Sequence, residues 1–134
     1  MSITLTRAAI WFAVIAGFTD FATGIGLVTA PAFTLEQMGA EVPGREALLF
    51  VRFVGVFVAA VGSSYLWALA NGSMSFLRSV FQLTVFFRVA AGSFTGIAVA
   101  LHLLSPAWVA VTATDLLFVG VQAWFLAKGL GRDD

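Results

Sequence analysis

The chain has 134 residues, of which 60% are hydrophobic and 10% charged, with fourteen Phe, four Trp and no Cys. A soluble domain is about half apolar and about a quarter charged, so too few polar side chains are present to cover a water-facing surface. That composition excludes an ordinary soluble globule, a disordered tail and a disulfide scaffold, and leaves an integral membrane protein.

Four apolar stretches follow one another at residues 8–30, 47–70, 79–101 and 107–127. Each is interrupted by one charge: Asp20, Arg52, Arg88 and Asp115 in turn. A helix crossing a hydrocarbon core of ~30 Å needs ~20 residues at a rise of ~1.5 Å each, and all four stretches are long enough. The alternating polarity of an outer-membrane barrel is absent. The expected fold is all-α: one transmembrane domain over residues 1–134, an antiparallel up-and-down four-helix bundle with short links.

In chain order, Arg7 precedes the first span, and the small residues of Thr29-Ala30-Pro31-Ala32 follow it, as in a signal peptide. The run is longer than a signal core and holds Asp20, so it is expected to remain as a membrane helix. Thr34-Leu35-Glu36-Gln37 fits a capping box, which predicts a short helical turn lying on the membrane. Pro43-Gly44 then turns the chain into the second span. Asn71-Gly72-Ser73 closes that span, and Ser105-Pro106 reads as an N-cap with Pro at the first helical position. Gly129 and Gly131 end the fourth helix after Lys128. Trp11, Trp67, Trp108 and Trp124 lie near span ends and read as interface anchors.

Orientation follows from Lys and Arg outside the spans. Arg7, Arg78, Lys128 and Arg132 fall at the termini and the second loop, whereas Arg45 alone falls in the first loop. Both termini are therefore expected in the cytoplasm.

The charges inside the spans are the main functional candidates. An ionised side chain at mid-bilayer costs ~2.5–3.5 kcal/mol on insertion scales, so it faces the bundle interior and finds a partner. Here two Asp and two Arg balance. At ~1.5 Å per residue, Arg52 lies about 9 Å from the outer end of its helix, Asp115 about 12 Å, Asp20 about 15 Å and Arg88 about 20 Å, level with Gln122. Asp20, Arg52 and Asp115 are thus expected in one layer with Arg88 beneath; Asp115 is the expected partner of Arg52, since their depths differ least, with Asp20 close behind.

Small and polar residues share the stripe of every charge. Ala13, Ala16, Gly17, Thr23 and Gly24 accompany Asp20, while Gly55, Ala59, Gly62 and Ser63 follow Arg52. Thr84, Ala91, Gly92 and Thr95 flank Arg88, and Thr112 and Gln122 flank Asp115. Such residues let helices approach closely and hydrogen-bond across the seam. Phe57, Phe86, Phe87 and Trp67 fall on other faces and are expected to meet lipid or a partner.

Other chemistry is thinner. His102, the single histidine, has no Cys or carboxylate pair beside it for a metal or haem site, so no metal centre is expected. With Glu46 in the first turn of the second span, it is assigned to the outer mouth of the bundle. No phosphate loop, nucleophile–His arrangement or basic patch for nucleic acid is present. No cofactor can be named.

Arg52-x-x-Gly55, followed by Gly62 and Tyr65 within a four-span chain, resembles the DoxX-like four-helix proteins and similar bacterial inner-membrane families. The resemblance is one of layout and implies location in a bacterial inner membrane. Members of those groups include accessory subunits of membrane redox systems. A first-span carboxylate and the size are shared with small multidrug transporters, whose Glu-centred pattern is not found here. Two function classes follow. One is an accessory or scaffold subunit meeting lipid, other membrane subunits or further copies of itself. The other is a small transporter or lipid- or ligand-binding protein using Asp20, Arg52, Arg88, Asp115 and Gln122. Catalysis is the poorest option, because the carboxylates are committed to Arg partners. A water-accessible pocket reaching Asp20 and Arg52 from outside would favour the second class, and a tightly packed core with saturated ion pairs and an exposed aromatic flank would favour the first.

Overall fold

The computed structural model describes residues 2–132. In order it contains α1 (Ile3–Thr29), α2 (Pro31–Gln37), α3 (Arg45–Asn71), α4 (Met74–Ala100), a 3-10 turn (Pro106–Trp108) and α5 (Val109–Ala127). Helices α1, α3, α4 and the stretch from Pro106 to Ala127 are long and apolar enough to cross a membrane. The protein is therefore described as a multi-pass, all-α membrane protein.

The helices outrun the apolar stretches where caps allow. Gly72 takes a left-handed φ of 70° and stops α3. The Ser73 hydroxyl then accepts the Phe76 amide at 3.2 Å, so α4 starts at Met74 rather than at the expected residue 79. Its polar first turn had no weight in an apolar count, yet it needs only a cap to be helical. α3 likewise starts at Arg45, with Glu46 in its first turn, where a carboxylate complements the helix dipole. Gly129 and Gly131 take positive φ after α5.

Two local expectations are corrected. α2 begins at Pro31, not at a Thr34 cap, because Pro fits the first helical position without losing a needed amide. Thr34 lies inside α2, and its hydroxyl donates to the Ala30 carbonyl at 2.9 Å. Ser105 stands at the N-cap with Pro106 in the first turn as expected, but of a 3-10 turn, and its buried Oγ makes no capping hydrogen bond.

α1 and α3 meet backbone to backbone. Gly17 faces Tyr65, Gly24 faces Ala59, and Leu27 faces Gly55, so numbers rise along α1 as they fall along α3. A Cβ on Gly24 would sit 2.6 Å from the Ala59 Cα, and one on Gly62 would sit 2.7 Å from the Gly17 carbonyl oxygen. Only glycine permits this approach. α4 and α5 pair through Gly92 against Asp115 and Gly96 against Thr112, and the Thr95 and Thr112 hydroxyls lie 2.7 Å apart.

The interior differs at the two ends. Near the termini, Phe12, Phe81 and Phe125 pack with Leu77, Tyr65 and Leu130. Arg78 closes that end by donating to the Leu130 carbonyl at 2.9 Å. At the other end, Leu35 of α2 packs with Leu27 and Ala40, with Leu48, Val51 and Trp108 against them. Trp108 is thus half-buried in this cluster rather than a pure interface anchor, whereas Trp11, Trp67 and Trp124 are exposed.

Candidate functional site

Arg88 is at the centre of the bundle, near the middle of α4, and only 4% exposed. Such a guanidinium must be paired and have its donors engaged. Nη2 donates to Asp20 Oδ2 at 2.5 Å, and Nη1 donates to Asp115 Oδ1 at 2.8 Å. Nε points to the Tyr65 hydroxyl at 3.4 Å. The guanidinium carbon stands 4.6 Å from the centre of the Phe118 ring, a cation–π distance. Three helices thus supply the ion triad: Asp20 from α1, Arg88 from α4 and Asp115 from α5.

Below the triad lies a neutral network whose proton directions can be worked out. The Thr84 hydroxyl donates its one proton to the Val80 carbonyl at 2.8 Å. It must therefore accept from Tyr65, whose oxygen is 2.8 Å away. Gln122 Nε2 donates to both the Tyr65 and Thr84 oxygens at 2.7 Å. Tyr65 then accepts from Gln122 and Arg88 while donating to Thr84. The Oε1 atom of the fully buried Gln122 is left without a partner.

Arg52 does not join the triad, and the expected pairing with Asp115 is corrected. Its Nη1 donates to the Val28 carbonyl and lies 3.5 Å from that of Thr29. These are among the last carbonyls of α1, which have no partner within the helix and sit at the negative end of its dipole. Arg52 is exposed. A long side chain this close to a helix end reaches outward more cheaply than inward. Glu46 lines a shallow hollow with Gly44, Arg45, Ala47 and Phe50. His102, with a φ of 58°, is exposed just after α4. Neither lines the cavity at the triad.

That cavity has a volume of about 510 Å³. Val54, Phe57, Val61 and Ser64 of α3 form one wall, and Leu83, Phe87 and Ala91 of α4 the other. Asp20, Arg88 and Asp115 form its floor. Phe57, Leu83 and Phe87 are more than half exposed, so the cavity is a slot open to the side between α3 and α4. Its walls lie around the midpoints of both helices, a depth that faces hydrocarbon in a spanning chain.

Sequence reasoning gave Tyr65 and Phe118 no place at the site. Tyr65 carried a signal: it is the sole Tyr of the chain, inside an apolar helix, where a buried hydroxyl must find a partner. Phe118 carried none, because one ring among fourteen Phe is not distinguishable by type. Among the described residues, no group of three His, Cys, Asp or Glu side chains could hold a metal ion.

No protein-family model matches this chain, and no curated protein or solved structure is significantly similar to it. The likeness in layout to DoxX-like proteins gains no support from these comparisons.

Proposed function

We propose that the protein binds a membrane-soluble small molecule in the α3–α4 slot, with Asp20, Arg88 and Asp115 as the polar anchor. The observation carrying this reading is a cavity of about 510 Å³ whose floor is charged and whose walls are apolar. Small-molecule sites typically enclose ~300–1,000 Å³, mostly apolar with a few placed polar groups. A triad kept only to fix helix register needs no lateral opening onto it. In this reading Arg52 is a structural clamp on α1, and Gln122 supports Arg88 through Tyr65 without touching the ligand.

The experiment is purification in lipid nanodiscs followed by mass spectrometry of retained small molecules. Ala91→Phe places a ring at the slot, since Ala91 is exposed and lines it. The expected result is a compound retained by the wild-type protein and absent from the variant. The same complement in both would overturn the reading.

The accessory or scaffold role is the second reading. It is favoured by the outward rings of Phe53 on α3 and of Phe86 and Phe94 on α4, each at least 60% exposed. A partner subunit crosslinking through these positions in native membranes would support it. The Arg7, Arg78, Lys128 and Arg132 bias supports a cytoplasmic location for the end that carries the termini.

A further inference from the structure

The ligand class can be narrowed from the charge of the slot floor, resting on the binding reading above. The triad holds one guanidinium and two carboxylates, a formal excess of one negative charge. The unequal exposure of its members puts that excess toward the slot. The Asp20 and Asp115 side chains are 15% and 14% exposed, against 5% for Arg88. The guanidinium carbon lies over the Phe118 ring, and each of its three nitrogens donates inside the bundle, to Tyr65, Asp115 and Asp20. Each carboxylate gives one oxygen to Arg88 and keeps the other free of it.

The remaining polar wall groups have the same character. The Ser64 hydroxyl donates to the Val61 carbonyl at 2.7 Å, so toward the slot it can only accept. Thr84 spends its proton on Val80 and its lone pairs on Tyr65 and Gln122. The slot therefore presents carboxylate and hydroxyl acceptors and one excess negative charge, and neither wall hydroxyl has a proton left to offer a guest. Phe57 and Phe87 line its sides, and aromatic rings attract organic cations.

We propose that the slot binds a lipophilic organic monocation, such as a hydrophobic ammonium or phosphonium compound. One positive charge neutralises the floor, and the apolar body lies between α3 and α4. Lateral access at mid-helix depth demands a ligand that partitions into the bilayer. A fatty acid or an anionic lipid headgroup would meet the two carboxylates and be repelled. An inorganic cation would need oxygen ligands on several sides, which apolar walls do not offer.

The test uses probes of matched shape and different charge, with the full-length protein in phosphatidylcholine nanodiscs. Tetraphenylphosphonium, tetraphenylsilane and tetraphenylborate are the cation, neutral and anion, and decyltrimethylammonium is a slimmer cation. Saturable binding of at least one cation is expected, with none of the silane or borate. Asp115→Asn removes one of the two negative charges at the floor and leaves it neutral, so it should weaken cation binding tenfold or more. Asp115→Glu should restore it. Asp115→Asn leaves Arg88 paired with Asp20, and Asp20→Asn provides the reciprocal variant should either fold poorly. Silane or borate binding as tight as the cation's, abolished by Ala91→Phe, would overturn the cation assignment and keep the slot. Binding of neither cation would also overturn it. Cation binding indifferent to both Asn variants and to Ala91→Phe would overturn the assignment and the slot together.

Discussion

The junctions of α3 with α1 and with α4 are built on opposite terms. Toward α1, α3 presents Gly55, Ala59 and Gly62, and the two backbones touch with no room for a further methyl group. Toward α4 it presents Val54, Phe57, Val61 and Ser64 across an open slot. The first junction depends on small side chains and dispersion contacts, which are what remains to hold helices together when lipid is as apolar as their side chains. The second depends on polar groups: Tyr65 of α3 reaches Thr84 and Arg88 of α4. One helix can thus be locked on one face and leave a gap on the other, because small-residue packing and buried polar bonds act at different places.

The largest effect should come from the polar junction. Arg88→Met leaves Asp20 and Asp115 facing each other without their cation, and the loss of one partner from a buried ion pair costs about 3–5 kcal/mol. Thermal unfolding in detergent should show it as a collapse in midpoint and yield. Adding Asp20→Asn and Asp115→Asn to Arg88→Met should recover most of the loss, since a neutral core carries no stranded charge. A triple variant no better than Arg88→Met would mean that charge compensation is not what holds this region.

A smaller effect is expected at the tight junction, and it sharpens the contrast. Gly62→Ala forces a methyl group against the Phe21 backbone and should cost about 1–3 kcal/mol, as overpacking does. Ala60→Leu, two residues away but on the slot side, should change stability by no more than about 0.5 kcal/mol. Equal losses from the two substitutions in the same unfolding assay would erase the distinction between the junctions.

The smallest effect concerns Arg52. Its exposed hydrogen bonds to α1 are weakened by solvent, so Arg52→Ala should cost about 1 kcal/mol or less. Combined with Asp115→Asn, the losses should add to within about 0.5 kcal/mol, because the two residues share no partner. A coupling well above that would place Arg52 back in the network of Asp115.

Composition and run length alone bring out the four apolar helices, because hydrocarbon imposes length and apolarity on any span. The involvement of Asp20, Arg88 and Asp115 was legible for a related reason: a lone charge in a span must find a partner. The partner itself was not. Depth along a helix axis puts Arg52 and Asp115 within a few ångströms of one level, but it carries no information about which neighbour each face meets. Arg52 shares the glycine face turned to α1, and the nearest acceptors there are backbone carbonyls, which no side-chain inventory reveals. The slot was illegible too, since it is a gap left by the exposed flanks of α3 and α4 rather than a property of any residue.

The rings beneath Arg88 decide what the slot can do with a guest. Phe118 lies against the guanidinium, Phe12 stands 5.2 Å from Phe118 in an edge-on contact, and Phe12 meets Phe81 at 5.6 Å and Phe125 at 6.0 Å. This is a stopper of interlocked rings between the triad and the end that carries the termini. A molecule that enters from the side and settles on the carboxylates faces a closed wall in that direction, and its open way out is the way it came in. Under the proposed binding role the slot would be a berth rather than a corridor, and passage to the termini end would require Phe12 to swing clear of its three neighbours.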